Sequence, residues 1–237
     1  MARYSSDFPI FAVAADIVVL TIRADALCVL LIRRSGSVAH GEWALPGGFV
    51  RADEDLEAAA YRELSEEAGI SRDDVVLEQL RTYGTPGRDP RPERVVSVAW
   101  VALGASLPDP RPDTDADRAE WVPVEEALGR SLAFDHTQIL ADGVERARSK
   151  LEYTTLATAF CGPTFTLPEL RRVYVAVWGG EEGLDPRNFQ RKVLGAEGFV
   201  AETGEIVRGR GRPAKVYRAG GERGLHPPIM RRGLDPN

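Results

Sequence analysis

The sequence predicts an α/β chain in two domains: a mixed sheet between helices over residues 1–157, then a winged helix-turn-helix over residues 158–237. Three observations predict it. In the first part, β-branched apolar runs alternate with amphipathic segments, the pattern of strands and helices sharing a core. The charge changes sign along the chain: from Phe165 onward 13 Lys and Arg face 9 Asp and Glu, leaving 17 against 27 for residues 1–164, so an acidic front precedes a basic tail. The tail itself reads as helix, helix, basic hairpin.

With 237 residues, 43% hydrophobic and 28% charged, the chain is long enough to bury a core in each part. The first apolar run is interrupted by Asp16, lacks a basic leader and is too short to span a bilayer, so a soluble, cytoplasmic protein with no membrane contact is expected. Cys28 and Cys161 form no disulfide framework and no Cys-x-x-Cys spacing. Both read as reduced packing thiols, and zinc is not expected.

Residues 10–22 ("IFAVAADIVVLTI") and 26–34 ("ALCVLLIRR") read as paired strands around the polar break "RAD". "WALPGGFV" is a strand closing on a Pro-Gly-Gly turn. From Asp55 to Ala68, Leu56, Ala59, Ala60, Leu64 and Ala68 recur at helical spacing, and Gly69 supplies the stop. Strands are expected at 75–83, 95–103 and 120–124, separated by the Pro- and Asp-rich loops "GTPGRDPRPER" and "GASLPDPRPDTDADRA". A helix with Asp135 as N-cap, running to about Tyr153, closes the domain, and "ATAFCGPT" links it to the next. In the tail, Thr166 and Pro168 open a helix with Leu170, Val173 and Val177 on one stripe. Asp185 caps a second helix, with Pro186 at its first position and Phe189 and Val193 buried, and "FVAETGEIVRGRGRPAKVYRAG" makes two strands around a basic, glycine-rich turn.

The first chemical signal lies in "GFVRADEDLEAAAYRELSEEAGI". Glu63, Glu66 and Glu67 stand at i, i+3 and i+4 on a helix that is otherwise apolar, with Glu54 in the preceding loop. Like charges at that spacing repel, so a fold has no structural motive to collect them unless something positive sits among them. Oxygen donors converging this way suit Mg²⁺ or Mn²⁺, hard cations that keep waters and bridge phosphates. Gly47 and Gly48 let the backbone approach the ion, and Arg62, at i, i+4 to Glu66, would hold a carboxylate in place. Arg81, Arg88 and Arg94 lie beyond the helix as candidates for gripping phosphates. The plainer alternative, a solvated acidic face, does not explain why glycines, a loop glutamate and the helix cluster occur in one ordered array.

The second signal is the helix bearing Arg187, Asn188, Gln190, Arg191 and Lys192, followed by a turn carrying Arg208, Arg210 and Arg212. Asn and Gln can read adenine and Arg can read guanine from a helix in the major groove, while wing arginines suit phosphates or the minor groove.

Gly48, five residues, Glu54, seven residues and then "RELSEEAGI" from Arg62 to Ile70 match the complete Nudix box without substitution, and the chain resembles that family. The resemblance implies a Nudix fold and metal-dependent cleavage of a nucleoside diphosphate linked to another moiety. It implies Glu66 and Glu67 as the main metal ligands, Glu63 as a ligand or base, the Gly47 carbonyl completing the metal shell, and Glu54 and Arg62 as supports. Pro86, sixteen residues past the box, is similar in spacing to the ADP-ribose subset. Over nearly the whole chain, "GEWALPGGFV", "LEQLRTYGTPGRDPR", "RVVSVAWVAL", "LAFDH", "FTLPEL", "DPRNFQRKV" and "GRPAKVYR" resemble the NrtR family of Nudix-related regulators of NAD metabolism. That resemblance implies a homodimeric repressor on double-stranded DNA, an inverted-repeat operator, with ADP-ribose or a relative as effector. Some members have decayed boxes and only bind the ligand, whereas this box is intact. The alternative is a metal-dependent ADP-ribose pyrophosphatase whose tail serves assembly.

Overall fold

A computed structural model describes residues 9–110, 118–208 and 213–231. The first domain is built on one mixed sheet. Strands β1 (Ala12–Arg23) and β2 (Ala26–Arg33) form a hairpin, and β3 (Trp43–Ala44) and β4 (Gly47–Phe49) add short edges. Strands β5 (Val76–Tyr83), β6 (Val95–Leu103) and β7 (Arg118–Pro123) complete it. The central order is β3-β2-β1-β6-β5, with β4 pairing β1 and β7 pairing β2; β1 and β6 run parallel and the other pairs antiparallel. β1 is buried continuously from Ala14 to Thr21 because both its faces are covered. Ala15, Ile17 and Val19 pack towards helix α1 (Leu56–Ala68), while Val18 and Leu20 join the cluster that contains Ile139, Leu140 and Val144 of helix α3 (His136–Tyr153). The period-2 alternation of a strand therefore feeds two cores at once. A Cβ on Gly143 would lie 2.8 Å from the Val18 side chain, so glycine permits this close approach of α3 to the sheet.

The expected elements hold to within two residues, except that Gly47–Phe49, expected within a Pro-Gly-Gly turn, pairs with β1 as a strand, that a 3-10 turn at Arg72–Asp74 and a two-residue strand at Phe165–Thr166 were not expected, and that three further differences follow. A short helix α2 (Val124–Gly129) follows β7, where only a strand end was expected. Asp135 occupies the N-cap position of α3 but makes no side-chain cap bond, because its carboxylate is engaged by Arg88. The linking stretch is a packed 3-10 turn over Thr155–Phe160, with Ala157 and Phe160 in the core.

The tail folds as β8 (Phe165–Thr166), α4 (Leu167–Trp178), α5 (Pro186–Gly195), β9 (Val200–Val207) and β10 (Ala214–Ala219), the strands in the order β8-β10-β9. Thr166 and Glu169 make a reciprocal capping box at the start of α4. The two parts share one apolar cluster, in which Leu20, Ile139 and Leu151 meet Leu170, Tyr174 and Val177. Hydrogen bonds fix the junction: Tyr174 Oη donates to the Leu151 carbonyl (3.1 Å), Trp178 Nε1 to the Arg148 carbonyl (3.1 Å) and Arg148 Nε to the Val177 carbonyl (3.0 Å). The chain then returns across α3, with Arg231 bonded to Glu145 and to the buried Glu152. Among the described residues no helix is long and apolar enough to cross a membrane.

Candidate functional site

Helix α1 starts where Asp55 accepts from the Ala58 amide (2.7 Å) and stops at Gly69, which takes the left-handed conformation (φ 64°). Its apolar face is fixed against β1, and its acidic edge is organised by Arg62. Arg62 gives a two-pronged bond to Glu54 (2.9 and 2.6 Å), shares Nη1 between Glu63 (2.6 Å) and Glu66 (3.0 Å), and donates from Nη2 to the Phe49 carbonyl (3.1 Å). All five of its N–H donors are used, which ties the loop to the helix. The Arg62 hydrogen bonds, with the Arg51 amide, hold the Glu54 carboxyl down to about 2.

A carboxylate whose folded pKa lies below its unfolded value of about 4.3 adds stability that is present above that pH and lost as the pH falls through the folded value. Glu54→Gln is therefore expected to lower the melting temperature at pH 7 and to flatten the fall in stability between about pH 5 and 2. Thermal melts across that range check it; an acid limb identical to that of the parent protein would sink the assignment.

Glu63 is buried beneath β4: a Cβ on Gly48 would lie 2.3 Å from its Oε1, so a side chain there would have to displace the Glu63 carboxylate. Glu67 accepts from the Gly47 amide (2.8 Å), and burial, with Glu63 and Asp16 nearby, pushes its carboxyl up to about 8. Glu66 is half-exposed and bonded to Arg51 and Arg62. The expected convergence of the three carboxylates is thus only partial. Among the described residues, no group of three or more His, Cys, Asp or Glu is gathered as a metal site, because Arg62 draws Glu63 and Glu66 to itself while Glu67 turns to the Gly47 amide. The donors themselves, all oxygen and partly desolvated, fit a hard divalent cation. A cavity of 150 Å³ lined by Ile32, Arg34, Gly47 and Glu67 opens beside them.

The structure adds a polar network under this site that sequence reasoning missed. Buried Asp16 accepts from Ser97 Oγ (2.5 Å) and from Arg88 Nη2 (3.4 Å), and Arg88 also holds Asp135 (2.8 and 2.5 Å). His136 is fully enclosed, its Nδ1 accepting from the Leu45 amide (3.0 Å) and its Nε2 lying 3.6 Å from Asp16; burial pushes its pKa down. The usable signal was Asp16 itself, a charge inside an apolar strand, together with the polar pair ending "LAFDH".

The candidate ligand arginines separate. Arg88 is 4% exposed and lies in this network. Arg81 is exposed, pairs with Asp142 (3.3 Å) and covers the Tyr83 ring; Arg94 donates to the Gly84 carbonyl (2.7 Å) and covers Phe11. Neither contacts a carboxylate of the box. Pro86 is exposed in the turn that leads to Arg88.

On α5, Asp185 accepts from the amides of Arg187 (3.1 Å) and Asn188 (2.9 Å), and Phe189 and Val193 are buried. This leaves Arg187, Gln190, Arg191 and Leu194 exposed at i, i+3, i+4 and i+7. Asn188 and Lys192 are half-buried beside that face, and Asn188 accepts from Arg191 (2.7 Å). Arg208 is exposed at the end of β9; Arg210 and Arg212 lie outside the described residues.

A mixed α/β domain carrying the intact glycine–glutamate box, joined to a winged helix, defines the class. Residues 11–143 match the NUDIX domain, and residues 158–219 match the NrtR DNA-binding winged helix domain. The chain belongs to the NrtR family. It is 36% identical to the ADPR responsive transcriptional repressor NtrR of Acinetobacter baylyi over 92% of this chain and 86% of that protein. It superimposes on Shewanella oneidensis NrtR complexed with a 27mer DNA with a TM-score of 0.74 at 31% identity, covering 90% of this chain and 99% of the other. The NUDIX domain of the same Shewanella oneidensis protein, complexed with ADP ribose, matches with a TM-score of 0.55 at 33% identity, covering 61% and 94%.

Proposed function

We propose that the protein is a homodimeric transcriptional repressor whose winged helix holds operator DNA and whose Nudix domain takes ADP-ribose or a close relative as effector. The observation that carries this reading is the exposed Arg187–Gln190–Arg191 face of α5, a surface for reading base edges that an assembly domain has no use for. Helix α3 supplies a physical link between the two functions. At its start Asp135 is bound by Arg88 in the network under the box; about 20–25 Å further on, its last turns bond to α4 and to the returning tail. A ligand phosphate that competes for Arg88 would free Asp135 to cap α3, so the ligand biases an element on which the winged helix rests. A gel shift with the protein's own upstream DNA tests the reading. A specific complex whose affinity changes at least ten-fold with ADP-ribose is expected, and DNA binding indifferent to ADP-ribose would sink the effector role.

The intact box also favours a hydrolytic activity that uses Mg²⁺ or Mn²⁺. The bound cation would neutralise charge building on the diphosphate oxygens and lower the pKa of attacking water. Glu63, Glu66 and Glu67 would hold it, with the Gly47 carbonyl as a further donor and Arg62 keeping the carboxylates in place. Water then adds to one phosphorus of ADP-ribose as the bridging P–O bond breaks, giving AMP and ribose 5-phosphate.

A further inference from the structure

Phe49 is 44% exposed although it directly follows the glycines of the box, and Phe134 is held at φ 57°, a left-handed conformation that costs a bulky residue. The two rings are bridged by one planar group: the Arg91 guanidinium lies 5.1 Å from the Phe49 centroid and 5.7 Å from that of Phe134. Arg34 covers Phe134 as well, at 4.8 Å, and it makes no ion pair among the described residues, its Nε donating to the Val38 carbonyl. Two arginines thus share one phenyl ring, and burial together with the charge of Arg91 pushes the Arg34 pKa down. Arg91 is ion-paired with Asp89, whereas Arg34 has no carboxylate partner among the described residues, so beside this partly exposed aromatic one cation lacks an anion and the rings lack a larger flat partner, both of which a nucleotide supplies.

We propose that Phe49 and Phe134 form a slot for the nucleobase of the ligand, and that Arg91 occupies it in the free protein as a planar stand-in. A guanidinium stacks on an aromatic face as a base does, with less area, so a base covers more of both rings. Arg91, released from the slot but still anchored near Asp89 in the same loop, then faces the ligand's phosphates together with Arg34. Arg34 also lines the cavity beside Glu67, so one nucleoside diphosphate reaches from the slot to the carboxylates of the box. The inference rests on the reading of the Nudix domain as a nucleotide site and adds which side chains hold the base.

The test is equilibrium binding to the full chain with Mg²⁺, using three probes: a methylene-bridged ADP-ribose that resists cleavage, AMP, and ribose 5-phosphate, which has no base. Phe49→Leu and Phe134→Leu are expected to weaken both base-bearing probes by roughly ten-fold or more, to leave ribose 5-phosphate unchanged, and Phe49→Tyr is expected to bind like the parent. Should Phe134→Leu fail to fold, the exposed Phe49 pair still decides. An unchanged affinity in Phe49→Leu, or an equal loss for all three probes, overturns the slot while leaving the effector reading intact. Phe49-dependent binding of AMP without binding of the ADP-ribose analogue upholds the slot and overturns the effector reading. Binding of none of the probes by the parent protein overturns both.

Discussion

Glu67→Gln is expected to lower the rate of ADP-ribose cleavage in saturating Mg²⁺ or Mn²⁺ by ~10²-fold or more, with little change in the melting temperature. The amide is isosteric and its oxygen still accepts from the Gly47 N–H, so the turn stays fastened. What disappears is a carboxyl on the wall of the cavity beside Gly47 that a bound cation would hold ionised. Gln cannot supply charge to a hard cation, and the cleavage builds negative charge that only such a cation and the nearby arginines offset. Arg62→Ala is expected to be nearly as damaging by another route. Glu54, Glu63, Glu66 and the Phe49 carbonyl all lose one shared partner, so that variant loses melting temperature as well as rate. A steady-state assay of AMP release, with a thermal melt on each variant, separates the two. A Glu67→Gln protein that cleaves as fast as the parent would remove the carboxylate from the chemistry, and a parent that releases no AMP with either ion would make the box a binding site only.

The sequence carried much of this fold because its signals were local. The continuous apolar run of β1, the Gly69 stop of α1, and the Thr166 start of α4 each act within a few residues, and each appears where the pattern placed it. The box was legible for the same reason: its spacing fixes one loop and one helix. What the pattern did not reveal was how side chains from distant segments divide their bonds. Asp135 has the composition and position of an N-cap, yet Arg88, far along the chain, takes its carboxylate. Three glutamates at helical spacing looked ready to converge, yet one arginine reorganises two of them. The position of Arg91 between the rings of Phe49 and Phe134 joins three distant segments and has no periodicity at all. Such long-range polar and aromatic partnerships depend on the tertiary fold, which composition and spacing do not encode.

Arg187→Ala and Arg191→Ala are each expected to cost about 1–3 kcal/mol of operator binding and to relax base preference at particular positions, and together they should abolish specific binding. The argument follows the face of α5. Phe189 and Val193 fix which side of the helix is turned inwards, so Arg187, Gln190 and Arg191 project outwards on one stripe that fits a major groove, with exposed Leu194 available to a thymine methyl. Asn188→Ala should have the smaller effect, since Asn188 lies beside the stripe and its side-chain oxygen is taken by Arg191. Arg208→Ala, at the end of β9, should weaken binding to all sequences alike and lower the salt dependence by about one ion, as a phosphate contact does. If the protein acts as a two-fold dimer, the operator is an inverted repeat with half-sites about one or two helical turns apart on one face of the duplex. Competition gel shifts with single-position operator variants, repeated at several salt concentrations, read both classes of mutant. Equal, sequence-independent losses from the α5 and wing variants would mean that α5 does not read bases, and the repressor reading would give way to an ADP-ribose pyrophosphatase with a basic, non-specific tail.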